Sequence, residues 1–285
     1  MDYRFSEDLQ LALELLRCGK KELAAQLGTS TMTLDRWIKG LSQPRANALE
    51  GFYDYAFSRG IDLNRIKAQL YQEELGCASE IALFHGSKSG IEGPLSASAS
   101  RANNDFGQGF YCGETLAQSA MFVTAFPHSS LYMIAFNPTG LSCLSFAVDR
   151  HWMLTIASFR GRLKDYDNHP VICERRRNVS AADYLIAPIA DNRMYEVIDQ
   201  FIDGEITDLQ CEHSLSATDL GRQYVFTTER ALEQVRVLEH CFLGQRERRH
   251  YEAERSESTR IGLTKAKAAR RQYRGQGLYI EELLS

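Results

Sequence analysis

The sequence has no apolar run long enough to cross a bilayer. Its longest, residues 131–136, falls far short of the roughly 20 residues that a spanning helix needs. It has no basic start followed by an apolar core: it begins MDYRFSEDLQ, so a secretory signal is not expected. It has no Cys-x-x-Cys pair. Its 7 cysteines are odd in number and widely spread, which argues against a disulfide frame or a zinc site and fits free thiols in a reducing cytoplasm. It has no basic excess: 33 Lys+Arg against 37 Asp+Glu give −4, which excludes a histone-like or ribosomal type of protein. Internal repeats are also lacking. What is there is ordinary soluble composition, 44% hydrophobic and 25% charged over 285 residues. That length suits two folded units and a tail, and the composition excludes a chain disordered throughout.

Charge is placed unevenly. Residues 246–274 hold ten Lys/Arg and four Glu, a net of +6, which leaves −10 on the rest. Such a segment is either a basic helix for nucleic acid or an acidic partner, or a solvated helix that pairs its own charges. Glu247, Glu252, Glu254 and Glu257 are interleaved with arginines, which favours local pairing. The apolar pattern divides the chain into three. Residues 1–78 read as all-helical, from the spacing in LQLALELL and IDLNRIKAQLYQEEL. Residues 79–243 mix strands (81–84, 131–136, 184–186, 224–227) with helices (115–124, 149–159, 193–201, 229–235), an α+β pattern. Residues 244–285 form the basic helical tail. Residues 87–109, rich in Ser, Gly, Ala and Asn, read as a long loop beside a site.

The stretch KKELAAQLGTSTMTLDRWIKGLSQP carries the first motif. Leu23, Ala24 and Leu27 make an apolar stripe, Gly28 permits a tight turn, and Ser30 is a good N-cap. Leu34 and Trp37, three apart, anchor the second helix; Gly40 ends it and Pro44 prevents its continuation. This spacing resembles the Cro/repressor-like helix-turn-helix family. The resemblance implies that Thr31, Met32, Asp35 and Arg36 face a major groove, with Lys20, Lys21, Lys39 and Arg45 near phosphates. Residues 1–78 carry ten Lys/Arg against eleven Asp/Glu, so they bring no basic field of their own. Either a dimer with two half-sites or the basic tail compensates, or the module binds protein or merely dimerises.

Two elements of the middle region bear on chemistry. LFHGS at 83–87 ends a strand in His85, Gly86 and Ser87, offering an imidazole and a bare backbone edge. An ordinary strand-to-loop turn has the same tripeptide. NDFGQGFYCGETLAQSAMF at 104–122 places Gly107 and Gly109, then Tyr111, then a helix with Ser119 and Phe122 on one face. The glycines let the backbone approach a ligand, and the two aromatics either clasp a flat ring or belong to the core. The pattern is neither a Gly-x-Gly-x-x-Gly nor a Walker motif. Asp191-Asn192-Arg193 follows a strand and opens a helix, so Arg193 is a candidate for a pyrophosphate and Asp191 or Asn192 for the cap. Arg160 and Arg162 are further phosphate candidates. The remaining histidines (128, 151, 169, 213, 240, 250) show no metal spacing, no Gly-x-Ser-x-Gly is present, and Cys112 reads as a buried strand cysteine.

The order of His-Gly-Ser, Gly-x-Gly-x-Tyr, and a helical Ser with a second aromatic resembles the ADP-ribosyltransferase superfamily in its diphtheria-toxin/PARP-like branch. It is most similar to a divergent bacterial group of unknown function. DYLIAPIADNRMYEVI (183–198) and RQYVFTTERAL (222–232) extend the likeness to roughly 160 residues. The resemblance implies a split-sheet fold and an NAD⁺ site. His85 would hydrogen-bond the nicotinamide-side ribose, the Gly86 backbone and Ser119 would hold the carboxamide, and Tyr111 and Phe122 would sandwich the ring. Ser87 and Gly109 are further cofactor contacts on the same grounds, and Arg193 joins them as the pyrophosphate candidate at its helix start. Fixing ring and ribose separately favours nicotinamide departure as positive charge builds on the sugar.

The sequence departs from that family at its late-strand glutamate, where Gln223 stands. A Gln amide oxygen accepts from a ribose hydroxyl but supplies neither a base nor a full charge. Either the base comes from elsewhere (Asp191, Asp105 or Glu229), or the acceptor needs little activation, or NAD⁺ or ADP-ribose is bound without turnover. The expectation is a multidomain chain: an all-α helix-turn-helix domain (1–78), an α+β transferase-like domain (79–243) and the tail (244–285). Its expected activity is NAD⁺-dependent transfer of ADP-ribose, with catalytic His85, Tyr111 and Gln223, to a macromolecule (protein, DNA or RNA). The expected setting is a cytoplasmic toxin–antitoxin or phage-defence locus. Expected partners are operator DNA, an antitoxin or neighbouring-gene protein, and a second copy of the chain; no metal and no membrane are expected. The alternative is a DNA-binding regulator whose transferase-like domain senses NAD⁺ or ADP-ribose.

Overall fold

Side-chain caps open two of the first five helices. In the computed structural model, which describes residues 3–126, 129–217 and 220–285, the helices α1 (Phe5–Leu16), α2 (Lys20–Gln26), α3 (Thr31–Ile38), α4 (Ala46–Ser58) and α5 (Leu63–Cys77) come first. Ser30 accepts the Thr33 amide at 3.1 Å and opens α3; Asp62 accepts the Arg65 amide at 2.9 Å and opens α5. Gly28, at φ +62°, ends α2 in the left-handed region that a side chain would strain. Leu9, Leu23, Leu34 and Phe52 are fully buried together, so the α1–α4 helices share one core. His128 lies outside the described residues.

The rest is mixed α+β. Its elements are β1 (Ile81–Ser87), β2 (Phe110–Gly113), α6 (Leu116–Val123), β3 (Ser130–Phe136), β4 (Cys143–Ser145), α7 (Arg150–Phe159), α8 (Pro170–Ala181) and β5 (Tyr184–Pro188). They continue with α9 (Asn192–Ile202), α10 (Asp208–Ser216), β6 (Arg222–Phe226), α11 (Glu229–Leu232), β7 (Val235–Cys241), α12 (Gln245–Gln272) and α13 (Ile280–Leu283). The helix expected over 229–235 stops at Leu232, because the chain turns into β7. Strands β2, β4 and β7 and helices α8 and α10 fall outside the pattern-based expectation. Among the described residues no helix is long and apolar enough to cross a membrane.

The chain forms two compact units. Unit one comprises Met1–Gly90, Ser119–Phe136 and Arg236–Glu254; unit two comprises Ile91–Gln118, Asn137–Val235 and Arg255–Ser285. In unit one the strand order is β1-β3-β7, with β1 and β3 antiparallel from Ile81↔Phe136 to Ser87↔Ser130. A buried charge cluster ties the helices to β7. The Lys67 ammonium of α5 lies 2.8 Å from the Asp8 carboxylate of α1 and contacts Glu239 of β7, while the Tyr53 hydroxyl donates to Asp8. Burial alone would lower the Lys67 pKa, but the two carboxylates outweigh it and hold the ammonium charged. The first amides of α12 are accepted by Glu50 and Asp54 of α4.

In unit two the order is β4-β5-β6-β2; β4 runs parallel to β5, and the other two pairings are antiparallel. Its core gathers Trp152, Ile156, Ile172, Phe201, Leu215 and Val225. The end of the tail belongs to this core. Ile280 and Leu284 are buried in it, Gln210 donates to the Arg270 carbonyl at 3.0 Å, and the His213 and Tyr273 rings stack at 3.6 Å.

The tail's glutamates only partly follow expectation. Glu257 pairs with Arg260 and Glu254 with His250 on the α12 surface. Glu247 does not pair with a neighbouring arginine: it is buried in unit one, where the Asn64 side-chain amide donates to its two oxygens at 3.1 and 3.0 Å. Burial, then the nearby Asp62 charge, pushes its pKa from 4.5 up to about 8. A carboxyl whose folded pKa is raised adds stability that is complete below about pH 4.5 and lost as pH rises through about 8. The melting temperature should therefore fall by about 3 °C per pH unit between pH 6 and 8. Glu247→Gln should flatten that slope; an identical slope in the variant would contradict the assignment.

Candidate functional site

In unit one the predicted residues meet at the end of β1. Gly86 sits directly beneath α6: a Cβ there would lie 2.8 Å from Val123 Cγ1, 2.9 Å from Phe122 Cδ1 and 3.0 Å from the Ser119 carbonyl oxygen. Only a glycine allows this approach. It brings His85-Gly86-Ser87 against Ser119 and Phe122, more than thirty residues away in sequence. The buried Ser119 hydroxyl donates to the Phe84 carbonyl at 2.8 Å, which leaves its lone pairs as acceptors. Phe122 remains 46% exposed beside Phe126, whose ring carries the Lys88 ammonium at 4.2 Å. His85 is half-buried, its ring 6.3 Å from that of Tyr132, and Ser87 donates to the Gly90 carbonyl at 2.9 Å.

The α3 face is also in unit one. Thr31, Met32 and Arg36 are exposed while Leu34 and Trp37 are buried, so the expected reading face is solvent-facing. Asp35 differs from its neighbours. Lys20 binds it at 2.6 Å and holds its carboxyl below the usual range. Lys21, Lys39 and Arg45 are exposed.

In unit two the paired strands β2 and β6 bring Tyr111 and Gln223 to one place, with Tyr111 opposite Val225 and Gly113 opposite Gln223. Gly109 packs closely on β6: a Cβ would meet Val225 Cγ1 at 2.8 Å and the Phe226 carbonyl at 3.0 Å. The Tyr111 hydroxyl donates to the Gly107 carbonyl at 2.8 Å and accepts the Phe106 amide at 3.2 Å, latching the loop that precedes it. Burial, then the Asp105 charge, pushes its pKa up, so it stays protonated. Asp105 is the centre of this cluster. It accepts from Arg160 at 3.0 Å, from the Tyr195 hydroxyl, and from the Gln223 side-chain amide at 3.0 Å.

The three carboxylates considered as a base all have structural partners. Asp191 caps α9 by accepting the Met194 amide at 3.0 Å and also pairs with Arg193. Glu229 accepts the Ala97 amide at 3.2 Å and pins the 96–99 turn. Asp105 is engaged as described. The candidate phosphate ligands are committed too. Arg193 donates to the Thr259 carbonyl at 2.7 Å, Arg160 stacks at 3.2 Å over the Tyr195 ring, and Arg162 bridges Asp199 and Asp203. Cys112 is buried, and burial pushes its thiol far up, so it is no thiolate nucleophile. Among the described residues no cluster of His, Cys, Asp and Glu could hold a metal.

A cavity of about 640 Å³ in unit one is lined by Asp54, Phe57, Arg246 and Arg249, and one of about 190 Å³ in unit two by Phe146, Asp149, His151 and Arg175. Neither is lined by a residue the sequence singled out for NAD⁺.

A family model described as Protein of unknown function (DUF3990) matches residues 81–237, more than half of the chain. No curated protein and no solved structure matches the chain.

The close contact at Gly86 makes a measurable demand. Gly86→Ala should cost about 1–3 kcal/mol through overpacking against α6. Thermal unfolding checks it, and an unchanged melting temperature would mean that β1 and α6 are not in tight contact.

Proposed function

The chain belongs to the DUF3990 family, and we propose that it is an NAD⁺-dependent ADP-ribosyltransferase acting on a macromolecule. The observation that carries this is the packing of His85-Gly86 against Ser119 and Phe122 through a glycine-only contact. Two sequence-distant motifs that the resemblance requires in one site are adjacent within one unit. Unit two adds support, since Tyr111 and Gln223 lie on paired strands.

The chemistry follows from these groups. The Gly86 main chain and the Ser119 hydroxyl hold a carboxamide, and the exposed Phe122 face covers a flat ring. His85 hydrogen-bonds a ribose hydroxyl, and within unit two the Gln223 amide oxygen is by itself an acceptor for a hydroxyl. The bond between nicotinamide nitrogen and the anomeric carbon breaks, and its electron pair leaves with nicotinamide. The acceptor's nucleophile then bonds to that carbon and gives up its proton to solvent water. Holding ring and sugar separately lowers the barrier by orientation, without a full negative charge from Gln223. We place the activity in a bacterial toxin–antitoxin or phage-defence setting, with the N-terminal helices reaching operator DNA or a partner protein.

The test is nicotinamide release from NAD⁺ by the full chain. His85→Ala should lower kcat/KM by about 100-fold, and Phe122→Ala by about 10-fold, with melting temperatures held. Unchanged turnover in both variants would sink the site assignment.

The exposed Thr31, Met32 and Arg36 favour a second reading, a DNA-binding regulator that senses NAD⁺ or ADP-ribose without turnover. On that reading the chain retards its own upstream DNA in a gel, NAD⁺ alters the retardation, and Arg36→Ala weakens it by about 10-fold. Retardation indifferent to both would discard it.

A further inference from the structure

We propose that Asp105 is the positioning residue for Gln223, fixing its side-chain amide so that the oxygen, and not the NH₂, is presented to a ribose hydroxyl. This rests on the transferase reading above and deepens it.

Two contacts orient the Gln223 side chain. Its Nε2 donates to Asp105 Oδ2 at 3.0 Å and to the Pro188 carbonyl at 3.1 Å. Both partners are acceptors. An amide turned the other way would set its oxygen against a carboxylate and a carbonyl, so the NH₂ end faces both acceptors. The side chain is buried, with both N–H groups engaged, and the amide oxygen is the end that remains to accept from a ligand.

Asp105 is itself held from the other side. Its Oδ1 accepts from Arg160 Nη2 at 3.0 Å and from the Tyr195 hydroxyl, and the Arg160 guanidinium lies over the Tyr195 ring. These donors fix which oxygen faces Gln223. They also balance the Asp105 charge, so a buried carboxylate is tolerated at this point.

The same geometry explains why glutamine stands on β6. A glutamate at 223 would bring a second carboxylate to about 3 Å from Asp105 and from a carbonyl oxygen, a like-charge contact of the kind that forces two acids to share a proton. Asp105 and Gln223 therefore form a matched pair, and neither change is neutral alone.

The experiment uses the full chain and nicotinamide release from NAD⁺. In Asp105→Asn, Arg160 and Tyr195 attract the new amide oxygen, so the new NH₂ faces position 223 and turns the Gln223 amide over. We expect kcat to fall at least about 10-fold in a variant that is destabilised but still folded at the assay temperature. The double variant Asp105→Asn with Gln223→Glu should regain at least half of that loss, because the introduced NH₂ then donates to the glutamate. Full activity in Asp105→Asn, or a double variant no better than the single one, would overturn the proposal.

Should Asp105→Asn fail to fold, Gln223→Glu carries the test. Its activity relative to the unsubstituted chain should rise as pH falls from 8 to 5.5, where the carboxyl pair shares a proton; a flat ratio would overturn the proposal. If the unsubstituted chain releases no nicotinamide, the transferase reading has failed, and the Gln223 side-chain amide resonances decide about Asp105. Two resolved, slowly exchanging protons that are lost in Asp105→Asn support the positioning role. Protons that exchange alike in both would overturn it.

Discussion

A single carboxylate organises unit two. Asp105 takes hydrogen bonds from Arg160 after α7, Tyr195 on α9 and Gln223 on β6, residues that span much of the middle of the chain. A buried carboxylate without partners would be costly, so each of these donors is drawn to one point, and the loop carrying Asp105 is drawn with them. Tyr111 latches the same loop through the Gly107 carbonyl. Unit one obeys the same constraint at Lys67, where Asp8 and Glu239 surround one ammonium and thereby join α1, α5 and β7. In both units the apolar core supplies bulk and the buried charge selects which elements meet.

Some of this was legible in the sequence and some was not, for physical reasons. The caps at Ser30, Asp191 and Thr228 are local, and each accepts the amide three residues on. The strands β1, β3, β5 and β6 are apolar enough to stand out. β4 is three residues long and largely exposed, and β2 is four residues between glycines, so neither offers a period to read. α8 has Ile172 and Val179 as its buried residues in a run of arginines, which hides its apolar face. Glu247 looked like one of a set of surface glutamates. Its partner Asn64 is more than 180 residues away, and no local pattern reports such a contact. In unit one, His85, Gly86, Ser119 and Phe122 stand in recognisable motifs; in unit two, Asp105 is one carboxylate among several in the sequence, because its three donors lie far from it along the chain.

The site's design has consequences for the chemistry. The acidic groups first considered as a base are engaged in capping, in loop anchoring or in orienting Gln223. On the proposed transferase reading, catalysis relies on orientation and hydrogen bonding to the sugar more than on proton abstraction, which suits an acceptor whose nucleophile is already reactive. The tail is not a free basic arm along its length: Ile280 and Leu284 lie in the core of unit two, and α10 binds the end of α12.

The most direct measurement is a crystal structure of the full chain with a non-hydrolysable NAD⁺ analogue. Its carboxamide should hydrogen-bond the Gly86 main chain, with the nicotinamide ring against Phe122 and the ribose within reach of His85. An analogue bound elsewhere, with Gly86 and Phe122 untouched, would contradict the central claim.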